Sequence, residues 1–167
     1  MHLLKYNKPA GFWEAALPLG NGRIGAMVYG GVGQEIIELN EDTLWSGGPS
    51  DEEGFSIRED IDSVRKLIRD GQYSAATEAT DKMTGAHRVA TYEPAGLLQL
   101  DFSDDAEVNT YQRTLDLKTA ISTTQYEREG TSFSRECFVS APHQVLVMRL
   151  GADREGKVSF GLSADSS

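Results

Sequence analysis

The sequence predicts a mainly β protein: a two-sheet antiparallel β-sandwich of the supersandwich type, with a short helical hairpin inserted around residues 57–84. Three observations support this prediction. Short apolar runs broken by glycines fill the first third of the chain, helical periodicity covers residues 57–70, and alternation with a period of two dominates from Tyr92 onward. Many short strands joined by glycine-rich turns are typical of a sandwich, in which each sheet buries one face.

The composition is that of an ordinary globular domain. Hydrophobic residues make up 39% of the 167 residues and charged residues 25%, which argues against a disordered or low-complexity chain. A chain of this length can bury roughly 70% of its unfolded surface, so we interpret residues 1–167 as one domain with a sizeable core. The formal charge of −10 repels phosphate backbones and anionic bilayers, so neither nucleic acid nor a membrane is an expected partner. A neutral partner such as a sugar fits this charge better.

Two features bear on the cellular compartment. Residues 1–10 lack the charged and apolar regions of a secretory leader, and no apolar run approaches the ~20 residues that a membrane-spanning helix needs. The chain as given therefore predicts a cytoplasmic protein, although an extracellular protein from which a leader had been removed would look the same. The single cysteine, Cys137, excludes an internal disulfide, and we expect it to be buried and inert in a strand.

The first elements along the chain are predicted strands. Residues 23–29 and 34–39 flank the string Gly30-Gly31-Val32-Gly33, which is typical of a β-hairpin. Residues 35–39 do not alternate strictly, so this strand is either buried on both faces or carries a bulge near the glycines. A further strand is predicted within residues 1–6.

A helical hairpin is predicted next. Residues 57–70 should form a helix with Ser56 as its N-cap and Gly71 as its left-handed stop. A second helix is expected from Tyr73 to Met83, ended by Gly85. The apolar face of the first helix follows a spacing of three and four residues. It consists of Ile57, Ile61, Val64, Leu67 and Ile68.

The remaining chain is predicted to be β. Glu129-Gly130 supplies a tight hairpin turn between two long strands, because glycine accepts a positive φ. In the second of these strands Arg135 and Cys137 share one face. Residues 163–167 are polar and are expected partway along a strand or at a sheet edge. The predicted strands are residues 98–102, 121–128, 131–140, 144–150 and 157–162.

Six uncommon strings occur in order along nearly the whole chain. They are ALPLGNGRIGAM (16–27), LNEDTLWSGGP (39–49), IRDGQYSAA (68–76), YEPAG (92–96), YQRTLDLKTA (111–120) and SRECFVS (134–140). Together they resemble the N-terminal domain of glycoside hydrolase family 95, the α-L-fucosidase family. Agreement at this many ordered places exceeds what chance matching produces.

The resemblance implies a β-supersandwich at the start of a longer enzyme whose active site lies in a following α/α toroid. The family hydrolyses terminal α-linked L-fucose with inversion, some members prefer α-L-galactosides, and it needs no metal or organic cofactor. Its glutamate acid and its asparagine base, polarised by an aspartate, belong to the toroid, so no residue here inherits a catalytic role. We therefore expect an accessory domain that contacts its own C-terminal catalytic domain and helps shape the pocket for a fucosylated glycan.

The candidate substrate-binding or domain-docking residues are Asn40, Glu41, Asp42 and Trp45. An amide and two carboxylates can accept hydrogen bonds from sugar hydroxyls, and an indole offers a face for C–H stacking. The structural alternative is that an Asn-Glu-Asp-Thr string before a glycine-rich turn caps backbone groups of the loop. Both interpretations stay open at this point.

Other chemistry-bearing patterns point to structural roles. Residues 20–25 superficially match a phosphate loop, but they open a strand and no lysine follows at the required spacing. His2, His87 and His143 are far apart in sequence with no neighbouring cysteine, so no metal site is expected. Trp13 is expected to pack in the core or against the missing domain.

Charged residues in the later strands suggest ion pairs. Arg135 with Glu136, and Arg113 with Asp116, are interpreted as structural pairs across or between strands. Two other classes of function compete with the accessory domain. One is an autonomous carbohydrate-binding sandwich that grips a glycan at Trp45, and the other is an interaction or dimerisation domain.

Overall fold

The structure is a computed structural model that describes residues 2–47, 58–84, 90–102 and 107–166. The chain divides into two compact units. The first comprises Met1–Leu44 and Glu93–Ser167, and the second comprises Trp45–Tyr92. Within the described ranges, neither helix combines the length and apolar character needed to cross a bilayer.

The first unit is built from antiparallel strands, which confirms the predicted mainly β, two-sheet architecture. In the described residues each sheet has five strands, in the order β1-β6-β7-β8-β9 for the first sheet and β10-β5-β4-β3-β2 for the second. The strands are β1 Leu3–Tyr6, β2 Leu17–Gly20, β3 Ile24–Val28, β4 Gln34–Glu41, β5 Gly96–Asp101, β6 Thr110–Asp116, β7 Ile121–Arg128, β8 Thr131–Ser140, β9 Val145–Ala152 and β10 Gly161–Asp165.

An apolar core holds the two sheets together. Alternation along each strand turns every second side chain inward, so each sheet offers one apolar face to the other. The second sheet contributes five buried side chains and the first sheet two, and burial of such surface is the main favourable term in folding. These buried residues are Leu17, Leu19, Ala26, Val28 and Ile37 on one side and Leu115 and Cys137 on the other.

The β3–β4 hairpin confirms the prediction made from its glycine-rich connection. The ladder keeps one register from Ile24 opposite Glu41 to Val28 opposite Ile37, so these residues contain no bulge. The irregular pattern has another cause, which is that Glu35 turns inward beside Ile37 and is fully buried. The side chains of this strand therefore alternate regularly. The sequence pattern did not show it, because one inward position is occupied by an acidic residue.

The hairpin between β7 and β8 also confirms its prediction. Glu129 and Gly130 form the turn, and both have positive φ values, 49° and 66°. A two-residue turn with positive φ at both positions matches the right-handed twist of the flanking strands. The two strands have the predicted bounds, and Cys137 on β8 is 2% exposed, as expected.

Three strands differ from the predictions. The pattern did not reveal β2, because its four residues include Pro18, which a sheet edge tolerates since no ladder partner needs its N–H. It also missed β6, whose inward face carries Arg113. The strand predicted at residues 157–162 lies at Gly161–Asp165 instead, because residues 161–165 pair with β5 whereas 157–160 join no ladder. The polar end, expected partway along a strand or at its edge, supplies residues 163–165 of this strand, which lies at the edge of the second sheet.

The second unit contains the predicted helical hairpin, α1 Arg58–Arg69 and α2 Tyr73–Thr84. Gly71 has a φ of 73° and ends α1 in the left-handed conformation, as predicted. The predicted cap residues Ser56 and Gly85 lie outside the described residues. The ends of the unit meet, because Trp45 and Tyr92 form an antiparallel bridge.

Candidate functional site

The predicted site residues divide between the two units. Asn40 and Glu41 end strand β4, Asp42 follows in the turn, and all three belong to the first unit. Alternation places Asn40 and Glu41 on opposite faces of the sheet, so their polar groups do not converge. Trp45 belongs to the second unit, where its ring packs edge-to-face on Tyr92 with centroids 4.9 Å apart.

Glu41 is engaged by the chain itself. One carboxylate oxygen accepts a hydrogen bond from Arg23 Nε at 2.7 Å. The other accepts bonds from the Thr43 hydroxyl at 2.5 Å and from the Thr43 backbone N–H at 2.9 Å. These bonds, first from the Thr43 hydroxyl and then from Arg23, lower the pKa of Glu41 to about 2. The geometry favours a capping role for this carboxylate over direct contact with a sugar.

Asn40 lines a groove of about 470 Å³ in the first unit. Trp13 stands at this groove and is 53% exposed, so of its two expected positions the core is wrong, and packing against the missing domain stays a prediction. Glu38 also lines the groove and accepts a hydrogen bond from the Tyr29 hydroxyl at 2.5 Å, which raises the pKa of Tyr29 to about 12. Sequence patterns did not reveal the groove, because its shape depends on which side chains three strands place next to one another.

A second cluster of polar residues is buried between the sheets. Arg135 Nη1 donates to Glu35 Oε2 at 3.0 Å and to the Gly31 carbonyl. Its Nη2 donates to the Val32 carbonyl and to the Tyr126 hydroxyl, each at 3.0 Å. A guanidinium with several donors in a fixed plane can hold several acceptors at once. Arg135 therefore pins the β3–β4 connection to the opposite sheet.

Glu35 completes this cluster. Its Oε1 accepts a hydrogen bond from the Gly30 backbone N–H at 2.7 Å, and the residue is 0% exposed. Burial raises the pKa of Glu35, against the opposing influence of Arg135 and of the backbone N–H groups of Gly30 and Gly31. The predicted pairing of Arg135 with Glu136 is wrong, because adjacent residues of a strand point to opposite faces. Glu136 instead meets Arg149 at 3.4 Å.

Arg113 is the second deeply buried arginine of the first sheet, at 2% exposure. Its Nε donates to the Lys8 carbonyl at 2.8 Å, and its guanidinium lies 4.3 Å from the centre of the Tyr6 ring. The predicted partner Asp116 instead accepts a hydrogen bond from the backbone N–H of Lys118 at 2.8 Å. Arg113 thus ties the N-terminal segment to the sandwich.

Two further observations concern reactive groups. Burial raises the pKa of the Cys137 thiol to about 12, which keeps it protonated and unreactive at neutral pH. In the part of the chain that the structure describes, no three His, Cys, Asp or Glu side chains are grouped so that they could hold a metal ion.

Comparisons with known proteins all find similarity to glycosyl hydrolases. A family model described as glycosyl hydrolase family 65, N-terminal domain, matches residues 4–167. The chain is 38% identical to Alpha-L-fucosidase 2 of Arabidopsis thaliana over 166 residues, which is 98% of this chain and 20% of that protein. It is 32% identical over 156 residues to Probable alpha-fucosidase A of Aspergillus niger, with 90% of this chain and 20% of that protein covered. The chain therefore spans about a fifth of the length of these curated relatives.

Proposed function

The chain belongs to the family of N-terminal domains of glycosyl hydrolase family 65, and from this membership we propose that it is the accessory domain of an α-L-fucosidase-type hydrolase. The observation that carries the proposal is the agreement between this domain family and relatives that are named as α-fucosidases. Each of those relatives is about five times as long as the segment that this chain matches. Such a length leaves room for a separate catalytic domain.

The assignment of the enzyme family and of its reaction rests on the resemblance in sequence. The six ordered strings resemble family 95, whereas the matching domain model carries the number 65. We propose a family 95 enzyme that cleaves a terminal α-linked L-fucose from a fucosylated glycan with inversion and without a cofactor. The names of the relatives support fucose, and they offer no support for the alternative of an α-L-galactoside.

We further propose that the bond-breaking groups lie outside residues 1–167. Inversion needs an acid and a base on opposite sides of the sugar, about 6.5–9.5 Å apart in the usual two-carboxylate form. The inward and terminal carboxylates of β4 have other partners, since Glu35 binds Arg135 and Glu41 binds Arg23 and Thr43. Glu38 binds the Tyr29 hydroxyl. These contacts support a structural role for the strand.

The proposed partner is the enzyme's own C-terminal catalytic domain. Large apolar side chains are exposed on the surface of the first unit, and they support a docking role because a partner domain would remove them from water. In this proposal the turn at Asn40, Glu41 and Asp42, and the Trp45 segment, contribute to the mouth of the substrate pocket. The exposed apolar residues of the first unit include Phe12, Leu117, Val145 and Leu162.

The test compares the 167-residue chain with the full-length enzyme on an aryl α-L-fucoside. We expect release of the aryl group by the full-length enzyme and none by the chain alone. A cooperative thermal transition of the chain is the control, because it shows that inactivity does not come from unfolding. Hydrolysis by the chain alone would overturn the assignment of the chemistry to another domain.

The alternative of an autonomous carbohydrate-binding sandwich is favoured by the exposure of Trp45, which is 46% exposed beside Tyr92. Titration of the chain with fucosylated oligosaccharides separates the two functions. The accessory-domain proposal expects no saturable binding at Trp45, whereas the binding-module alternative requires binding that the Trp45→Ala substitution removes.

A further inference from the structure

We propose that the groove beside Trp13 is a binding subsite for a neutral pyranose. This Trp13 groove is defined by Trp13, Gly25, Met27, Glu38, Asn40 and Leu97. Its volume of about 470 Å³ lies within the range of small-molecule sites in proteins. The inference goes beyond the proposed function, because it assigns ligand binding to this chain itself and at a place other than Trp45.

The ladder of the second sheet explains the shape of the groove. Met27 on β3 lies opposite Glu38 on β4, which in turn lies opposite Leu97 on β5. Two positions further along the outer face, Gly25 lies opposite Asn40. Because glycine has no side chain, Gly25 adds no bulk next to the row of Met27, Glu38 and Leu97, and the Asn40 side chain lies beside it. The Trp13 groove is therefore built from backbone register rather than from mobile loops.

Trp13 supplies the apolar wall. Its side chain is 53% exposed in a short helical turn, Trp13–Ala15, that directly precedes strand β2. Exposure of this extent leaves much of an indole in contact with solvent, at a cost in hydrophobic free energy. A pyranose offers a flat face of C–H groups that matches an indole, and tryptophan combines such a face with a polar N–H.

Two polar groups face the ligand space. The side-chain amide of Asn40 lies beside Gly25, with Nδ2 4.0 Å from the position of an added Gly25 Cβ, and it offers both donors and an acceptor at the groove that Asn40 lines. The Tyr29 hydroxyl holds one oxygen of the Glu38 carboxylate at 2.5 Å and thereby fixes its position. An amide and an oriented carboxylate bind the alternating donors and acceptors of a polyol.

The charge of the groove selects among ligand classes. Among the described residues that line the groove, Glu38 is the one charged side chain, and the chain as a whole carries −10. A negative site repels phosphates, sulfates and carboxylates, and it lacks the cations that bind them. A neutral saccharide satisfies the amide and the carboxylate without this repulsion. The ligand of the groove is thus an uncharged sugar ring stacked on Trp13.

The experiment is a titration of the 15N-labelled chain with methyl α-L-fucopyranoside and, separately, with methyl β-D-galactopyranoside. We expect saturable shifts of the backbone amides of Gly25, Met27, Asn40 and Leu97 with at least one of the two glycosides. Trp13→Ala should weaken binding by about tenfold, the upper range for loss of a stacked aromatic contact. Shifts that never saturate, or saturable shifts confined to the Trp45 segment, would overturn the proposal.

Glycine substitutions give a matched pair of variants. A Cβ added at Gly25 would meet Asn40 Cβ at an ordinary 3.5 Å, so Gly25→Ala should fold normally and place a methyl group in the groove. We expect it to weaken binding at least as much as Trp13→Ala does. Gly11→Ala is the control, because nothing lies within 4 Å of its added Cβ and the residue is not part of the groove. Equal affinity of the two glycine variants would contradict the site.

Failure of this inference is distinguishable from failure of the proposed function. If neither glycoside binds while the full-length enzyme hydrolyses the aryl fucoside, the groove has no sugar and the accessory-domain proposal stands. If Gly25→Ala instead separates the chain from the rest of the enzyme and no glycoside shift is seen, the groove is a docking surface and the sugar-site inference is wrong.

Discussion

Strand β4 carries a glutamate near each of its ends, and each is paired with an arginine. The two pairs differ in their exposure to solvent and in the direction in which the pKa of the carboxylate is shifted. The side chains of Glu35 and Arg135 are 1% and 4% exposed and lie between the sheets. Glu41 and Arg23 form their contact at 2.7 Å at the open end of the strand. A buried pair is costly to break, whereas an exposed pair contributes little. The position of a glutamate along β4 thus decides how much its pairing with an arginine contributes to stability.

The two carboxylates also depart from the ordinary pKa in opposite directions. Burial raises the pKa of Glu35, and hydrogen bonds from Thr43 and Arg23 lower that of Glu41 to about 2. Loss of solvent dominates at one site and hydrogen bonding to the charged form dominates at the other. The comparison teaches that an ion pair is interpretable only together with the solvent around it.

The largest effect is expected from Glu35→Ala. Arg135 would remain buried without a counter-charge, so the free energy of unfolding should fall by about 3–5 kcal/mol. Urea denaturation of the chain measures this loss, and Glu41→Ala on the same strand is the matched comparison, with a smaller shift of the midpoint because its partner Arg23 is exposed to solvent. If Glu35→Ala fails to fold, Glu35→Gln gives a milder version of the same test. Equal losses in the free energy of unfolding from Glu35→Ala and Glu41→Ala would contradict the distinction between the two pairs.

The labelling rate of the Cys137 thiol gives a kinetic measure of the same difference between the Glu35 and Glu41 variants. With its pKa raised to about 12 by burial, the native thiol should react with a disulfide reagent at pH 8 only after the sandwich opens. A destabilisation of 3–5 kcal/mol corresponds to labelling roughly 10²- to 4 × 10³-fold faster in Glu35→Ala, at 1.4 kcal/mol per decade. Glu41→Ala should accelerate labelling much less than Glu35→Ala does. Native labelling as fast as that of the urea-unfolded chain would contradict the burial of Cys137.

A smaller effect is expected from Arg135→Lys. Lysine keeps the charge beside Glu35 but lacks the planar fork that also binds two carbonyl groups and the Tyr126 hydroxyl. Leaving buried acceptors unsatisfied should cost about 1–3 kcal/mol in the free energy of unfolding. The control is Arg149→Lys, whose partner Glu136 is exposed and whose unfolding midpoint should not move. Indistinguishable urea curves for the two variants would show that the fork is dispensable.

The smallest effect concerns the titration of Glu41. Its folded pKa of about 2 lies below the ordinary value of about 4.3, so its contribution to stability is present above about pH 4 and is lost as the pH falls through 2. Carboxyl-carbon chemical shifts should give a midpoint near 2 for Glu41 and one above the ordinary range for Glu35. The unfolding midpoints of wild type and Glu41→Gln should converge below pH 2. A titration midpoint of Glu41 in the ordinary range would contradict the lowered pKa assigned to it.

Local patterns revealed those elements whose residues alternate or repeat without interruption. The spacing of apolar residues predicted α1, and the alternation on both sides of Glu129-Gly130 predicted β7 and β8. The inward position of Cys137 followed from the same alternation.

The pattern failed where polar residues point inward or where contacts span long sequence distances. Strand β6 escaped notice because Arg113 occupies an inward position, and Glu35 and Arg135 meet although they are 100 residues apart. One signal was present, since Arg135 shares a strand face with Cys137 and an arginine on an apolar face needs a buried partner. The Trp13 groove has no such signal, because its lining depends on Gly25 lying opposite Asn40.

The two ends of the helical segment meet at a single point, with the Ser46 N–H bonded to the Thr91 carbonyl at 2.8 Å and the Thr91 N–H to the Ser46 hydroxyl at 3.0 Å. The bonds between its two ends close this segment into a loop of its own. Its closure entropy grows only slowly with the number of residues inside. Selection is therefore free to lengthen, shorten or exchange what lies between these residues while the strands on either side keep their partners, which makes this junction a natural site for diversification and for engineered insertions.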